Sequence, residues 1–203
     1  MRLLTFLTGL ASIFAYSTGV DTCVNAPNHG SWATGCSPTN CNSSPFSIQV
    51  LDSNGRSVTR YLPNTNYTVT LSNPTAPATC TSSTCFRGFI MTAGAPTAGG
   101  GQTFTSVSSS PVGLLNPADT TVRSMTGCPN GQTHVSNAYK KIVHTRWVSP
   151  DNSSSNVVFK AIIVTTSTTS NYVTSTMLQP ALSATSIPIT PTSSSMCSFT
   201  RTP

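Results

Sequence analysis

The stretch CFRGFIMTAGAP, Cys85 to Pro96, decides how the rest of the chain is read. It is a short apolar run with an arginine between two phenylalanines, a glycine inside and a Gly-x-Pro stop. Side chains alternate across a strand, so Phe89, Met91 and Ala93 share one face, which points to a core. A glycine inside a strand marks a place where another group presses on the backbone. The reading assigns that place at Gly88 to a neighbouring aromatic ring, with Trp147 as the candidate. Arg87 is read as laying its stem along apolar surface, with its head wet or stacked on a ring.

Outward from this stretch the pattern repeats. No long segment has helical periodicity. Runs of Val, Thr, Ile, Phe and Tyr alternate with Pro, Gly, Asn and Ser clusters, which is the strand signature. Strands are expected near Phe46–Leu51, Asn66–Ser72, Phe86–Ala93, Gln102–Val107, Thr120–Met125, Lys141–Val148 and Val157–Thr166, with a weaker one near Tyr172–Leu178. The fold class is therefore all-β: an antiparallel sandwich of about seven to nine short strands. Alternation places Tyr67, Val69 and Leu71 inside, with Thr68 and Thr70 opposite. Val143, Thr145 and Trp147 share a face, leaving Ile142, His144 and Arg146 on the other. Phe159, Ala161 and Ile163 face the core, and Val158, Lys160 and Ile162 face outward. Gly94 to Gly101 reads as a flexible loop. From Gln179 the chain is Ser, Thr and Pro, a tail that is disordered or O-glycosylated because it has little to bury.

The compartment is read from the other end. Met1-Arg2 is followed by an apolar run from Leu3 to Ala15 and then by Ala15-Tyr16-Ser17, the order of a secretory leader over residues 1–17. The run is too short to span a bilayer, which takes about 20 apolar residues. No later segment qualifies, since Val157–Val164 contains Lys160. Nothing near the C-terminus has the apolar stretch of a lipid anchor. The domain is thus expected over residues 18–178, with a tail over 179–203, in a secreted, extracellular protein. Its formal charge is +6, falling to +5 once Arg2 leaves, which is well short of a nucleic-acid footprint. Asn42, Asn66 and Asn152 each open an acceptor sequon for N-linked sugar.

All seven cysteines follow the leader. Exported cysteines at this density read as disulfides. Cys36/Cys41 and Cys80/Cys85 have equal spacing. A zinc site built from both pairs is the competing reading, but structural zinc favours tighter pairs, so two local disulfides are expected and no metal. Cys23 and Cys128 are then free for a long-range bridge. Cys197 lies in the tail as an odd thiol able to link two chains.

No catalytic constellation emerges. The aspartates Asp21, Asp52, Asp119 and Asp151 stand singly in turn composition, and glutamate is absent. No Gly-x-Ser-x-Gly elbow and no metal-binding histidine spacing is present. No cofactor is implied. The feature that stands out is basic: Lys140, Lys141, His144 and Arg146 lead into and flank Trp147. With Arg87 they form the candidate ligand-binding set, suited to sulfated or phosphorylated glycans and lipid head groups through charge-assisted hydrogen bonds. A solvated strand face is the bland alternative.

Four segments in order resemble the Reeler domain, the N-terminal module of reelin and F-spondin, also found in small secreted insect defence proteins and ferric-chelate-reductase-like membrane proteins. They are CVNAPNHG (Cys23–Gly30); YTVTLS (Tyr67–Ser72) with FRGFIMTA (Phe86–Ala93); GCPNGQTHVS (Gly127–Ser136); and KKIVHTRWVSP (Lys140–Pro150) with VVFKAIIV (Val157–Val164). The resemblance implies an immunoglobulin-like β-sandwich and a Cys23–Cys128 bridge. The chain departs from the pattern in lacking a cysteine near the Val157 strand. The pairs Cys36/Cys41 and Cys80/Cys85 look like its own additions. The resemblance implies a non-enzymatic role in recognising glycans, microbial surface lipids or matrix proteins, in defence for some members. The alternative is a matrix or coat component cross-linked through the tail.

Overall fold

The computed structural model describes residues 33–37, 41, 43–80, 84–96, 112–128, 130–151, 155–165 and 171–181. The leader, Cys23, Cys197, the sequon asparagines Asn42 and Asn152, and the strand expected at Gln102–Val107 lie outside them. The described residues form ten strands and no helix. These are β1 Ser47–Leu51, β2 Arg60–Tyr61, β3 Asn66–Ser72, β4 Gly88–Gly94, β5 Leu114–Pro117, β6 Val122–Ser124, β7 Gly131–His134, β8 Ile142–Val148, β9 Val157–Val164 and β10 Asn171–Pro180.

They build two layers: a four-stranded sheet in the order β1-β3-β8-β5 and a six-stranded sheet in the order β2-β10-β9-β4-β7-β6. The pairing is antiparallel except where Gln179 and Pro180 run parallel to Arg60 and Tyr61. β10 thereby carries regular structure past Leu178, where the sandwich was expected to stop. Three strands have no clear sequence signal. β2 is two residues long, β5 (LLNP) ends on turn punctuation, and β7 (GQTH) has no apolar alternation.

The core lies between the layers. Val69, Leu71, Val143 and Trp147 from the smaller sheet meet Phe89, Met91, Phe159, Ala161 and Ile163 from the larger. Two aromatic groups fill it. Trp147 packs against Tyr61, Tyr67 and Phe159 at centroid distances of 5.2, 5.4 and 5.1 Å. Phe86 touches Phe46 and Phe89 at 5.8 and 6.0 Å. Each such ring pair adds about 0.5–1.5 kcal/mol beyond area burial.

Trp147 also explains a glycine. Its Nε1–H donates to the Val112 carbonyl (2.8 Å), so the chain turns beneath the indole. The next residue, Gly113, has φ +79°, and a Cβ there would lie 2.2 Å from the Val148 carbonyl oxygen and 2.8 Å from Trp147 Nε1. From this turn β5 is stitched across the sandwich. The Asn130 amide donates to Gly113 O and accepts from Leu115 N–H, while Gln132 Nε2 donates to Leu115 O. Polar side chains of one sheet thus satisfy the edge strand of the other, as buried backbone requires.

The residues expected to face outward on β9 do point away from the main core. They are nonetheless buried: Val158 is 0 %, Ile162 5 % and Lys160 9 % exposed. A strand covered on both faces reads as a nearly continuous apolar run, and VVFKAIIV is one. On that outer face Ile90 joins Met125 and Cys128 in a second small cluster. Disulfides join Cys36 to Cys41 and Cys80 to Cys85. Cys128 is disulfide-bonded as well, to a cysteine outside the described residues.

Candidate recognition surface

The FRGF stretch meets the Thr-His segment where β4 and β7 pair, with Ile90 opposite Thr133. The group pressing on Gly88 is not Trp147 but His134. A Cβ on Gly88 would stand 2.8 Å from His134 Cε1 and 3.3 Å from each ring nitrogen. Trp147 belongs to the opposite sheet and is occupied at Gly113, and only the β4–β7 register reveals the histidine. Phe89 N–H donates to His134 Nδ1 (3.2 Å), and the Thr133 hydroxyl donates to Phe89 O (2.8 Å). Adjacent side chains of β7 therefore hold both backbone groups of Phe89.

One residue before Gly88 the chain leaves this sheet and forms a surface. Phe86 and Lys140 exchange backbone hydrogen bonds as an isolated bridge. The bridge turns the Lys140 side chain inward, to 7 % exposure. Its ammonium donates to the carbonyls of Arg87 (3.1 Å), Ala138 (2.7 Å) and Ser136. Arg87 closes the same loop from outside: Nε–H donates to Asn137 O (3.1 Å), and the guanidinium lies 5.4 Å from the Tyr139 ring centroid. Burial, then the Arg87 charge, pushes the Lys140 amine down to about 8, against a smaller upward pull from Asp119.

The loop Val135–Tyr139 therefore has three successive carbonyls, at 136, 137 and 138, held by cations. All five of its side chains are exposed, Tyr139 and Val135 among them. Lys141 follows directly and is exposed. The result is an exposed loop pinned through its carbonyls, with a tyrosine, an asparagine and two basic groups at its rim.

The expected basic cluster is therefore divided. Lys140 is an internal tie and is turned away from any external anion. Lys141 and Arg87 flank the pinned loop. His144 and Arg146 lie further along β8 on the outer face of the four-stranded sheet, half-buried and exposed respectively. His144 Nδ1 is 3.1 Å from the Thr70 hydroxyl, and the His144 backbone N–H reaches Asp119 Oδ2 at 3.5 Å. Burial would raise the Asp119 carboxyl, but hydrogen bonds from Thr121 and His144 together with the His144 charge hold it below the usual carboxylate range. The aspartate contacts the histidine backbone and not its ring, while threonine occupies Nδ1. That is not the wiring of a nucleophile–base relay, in which the acid orients the imidazole. Asp119 caps the β8 edge where β5 stops at Pro117. Its turn composition gave no sign of this partnership.

Asn66 opens β3 and is exposed, two residues before Thr68 on the same face.

The Reeler domain family model matches residues 22–184. No curated protein matches the chain by sequence. Several solved structures resemble it. A crystal structure of the human F-spondin reeler domain (fragment 1) is 22 % identical with TM-score 0.54, covering 76 % of this chain and 96 % of that one. A crystal structure of the Reelin-N domain of F-spondin is 22 % identical with TM-score 0.52, covering 75 % and 93 %. At this identity the structures speak for the fold, and the family match extends over most of the sequence. The chain belongs to the Reeler domain family.

Proposed function

We propose that this protein is a non-enzymatic recognition module of the extracellular space, binding glycans, microbial surface lipids or matrix proteins through the β7–β8 end of its sandwich. The observation that carries the reading is the loop Val135–Tyr139, locked by Lys140 and Arg87 with its side chains outward. A loop ordered before binding loses less conformational entropy when it captures a ligand. Arg87 and Lys141 at its rim suit an anionic group. The F-spondin reeler structures and the leader-like N-terminus support the extracellular setting.

The test is a binding screen of protein recovered from culture medium against glycan, microbial lipid and matrix-protein arrays at two salt concentrations. The reading expects at least one class bound, more weakly at high salt because exposed charges are screened. Binding to none of the three would reject it.

A second reading, a cross-linked matrix component, draws on cysteine arithmetic. All five cysteines among the described residues are disulfide-bonded, four of them to one another, and Cys128 takes its partner from the remaining two, which leaves one of the seven over. A Cys197-dependent dimer on non-reducing gels supports it, and a strict monomer with a free thiol rejects it.

A further inference from the structure

We infer that Asn66 carries an N-linked glycan whose first sugars cover an apolar cross-strand row on the outer face of the four-stranded sheet. The inference rests on the extracellular reading above, because only an exported chain meets the glycosylating enzyme. Asn66-Tyr67-Thr68 is a complete acceptor sequon. Tyr67 is buried at 5 % exposure, with its hydroxyl accepting from Leu62 N–H, and this fixes Asn66 and Thr68 on the outer face. The Asn66 carboxamide makes no hydrogen bond with a described residue, so a substituent there displaces nothing.

The register supplies what the sugar would cover. Asn66 is opposite Val148, and Val148 is opposite Leu114 on the edge strand β5. Val148 is half-buried and Leu114 is 51 % exposed. Successive strands are about 4.8 Å apart, so a disaccharide leaving Asn66 along this row passes over one apolar side chain and then the next. The carbohydrate face lined by C–H groups matches them. The adjacent row, Thr68–Arg146–Asn116, offers a guanidinium and an amide to the hydroxyl edge of the same sugars. An exposed leucine on an edge strand is otherwise an invitation to self-association, and the glycan answers it.

The full chain with its own leader is expressed in eukaryotic secretory cells, and both medium and lysate are collected. Occupancy of Asn66 is read by peptide mapping after enzymatic deglycosylation in heavy-oxygen water. Asn66→Gln, Thr68→Val and enzymatically deglycosylated wild type are then compared with intact protein for apolar-dye binding and sedimentation. The last sample is stripped after folding, so it needs no refolding. The expected result is Asn66 occupied in most secreted molecules, a severalfold rise in dye binding with self-association in all three samples, and reversal by Leu114→Ser in the Asn66→Gln background. Secreted protein with Asn66 unmodified overturns the proposal, as does an occupied Asn66 whose removal changes neither dye binding nor sedimentation. A chain retained in the lysate overturns the extracellular reading itself, and the proposal with it.

Discussion

Replacing Gly88 with alanine tests whether the FRGF stretch is shaped by His134. The new methyl would stand 2.8 Å from Cε1 of a ring that is 6 % exposed and bonded to Phe89 N–H. The ring has to shift, and the bond then breaks. Overpacking of this kind costs about 1–3 kcal/mol, and a stranded buried N–H costs about 1–3 kcal/mol more. The lost unfolded-state freedom of glycine returns about 0.4–1 kcal/mol. The net loss is roughly 1–5.5 kcal/mol, or roughly 2–20 °C in Tm for a domain of this size. The assay is thermal and urea denaturation of a four-member cycle: wild type, Gly88→Ala, His134→Ala and the double variant. If the clash is with the imidazole, Gly88→Ala costs little or nothing once His134 is alanine. An undiminished cost in that background would refute the reasoning and place the conflict elsewhere.

Lys140→Met leaves the loop carbonyls of Ser136 and Ala138, and that of Arg87, without their donor, so amide exchange should quicken in Val135–Tyr139 while β3 and β8 keep their protection; equal loss throughout would mean that Lys140 supports the whole fold. The folded Lys140 amine titrates near 8 and the unfolded one near 10.5. Between these values the unfolded chain holds more protons, so stability rises with pH across the window. The rise should be smaller in Lys140→Met when Tm is followed from pH 7.5 to 9.5, below the range where Tyr61, a phenol raised by burial, acts in the opposite sense. Asp119 has a depressed folded carboxyl, so its contribution is present above its ordinary value of 3.8 and is lost as pH falls through the folded value. Asp119→Asn should therefore be less stable than wild type at pH 6 and close to it in strong acid; a constant difference at every pH would contradict the assignment.

Alternation carried most of the fold. Tyr67, Val69 and Leu71, and Val143 and Trp147, lie inside, while Arg146 and Ile142 are outside, because β3 and β8 each bury one face. β7 was hidden because its polar side chains are buried by hydrogen bonds to other strands, which no hydropathy pattern reports. Val158 and Ile162 were placed on the correct face, but their burial was not foreseen, since alternation says nothing about what covers the second face. Lys140 misled for a definite reason. It precedes β8 and pairs with Phe86, the residue leading toward β4 in the other sheet, so the parity of Ile142, His144 and Arg146 does not extend to it. The pinned loop follows from that one bridge. Only the contact between strands distant in sequence makes it visible.

The proposed recognition at the β7–β8 end, and not on the outer sheet face, is tested most directly by titration. Whichever array preparation binds the wild type most strongly should be titrated against two double variants of matched Tm. One is Tyr139→Ala with Lys141→Ala at the pinned loop; the other is Ser47→Ala with Gln49→Ala on the outer face of the four-stranded sheet. The expected result is at least a tenfold loss of affinity for the first and near wild-type affinity for the second. Unchanged binding by the loop variant, with loss in the sheet variant, would contradict it.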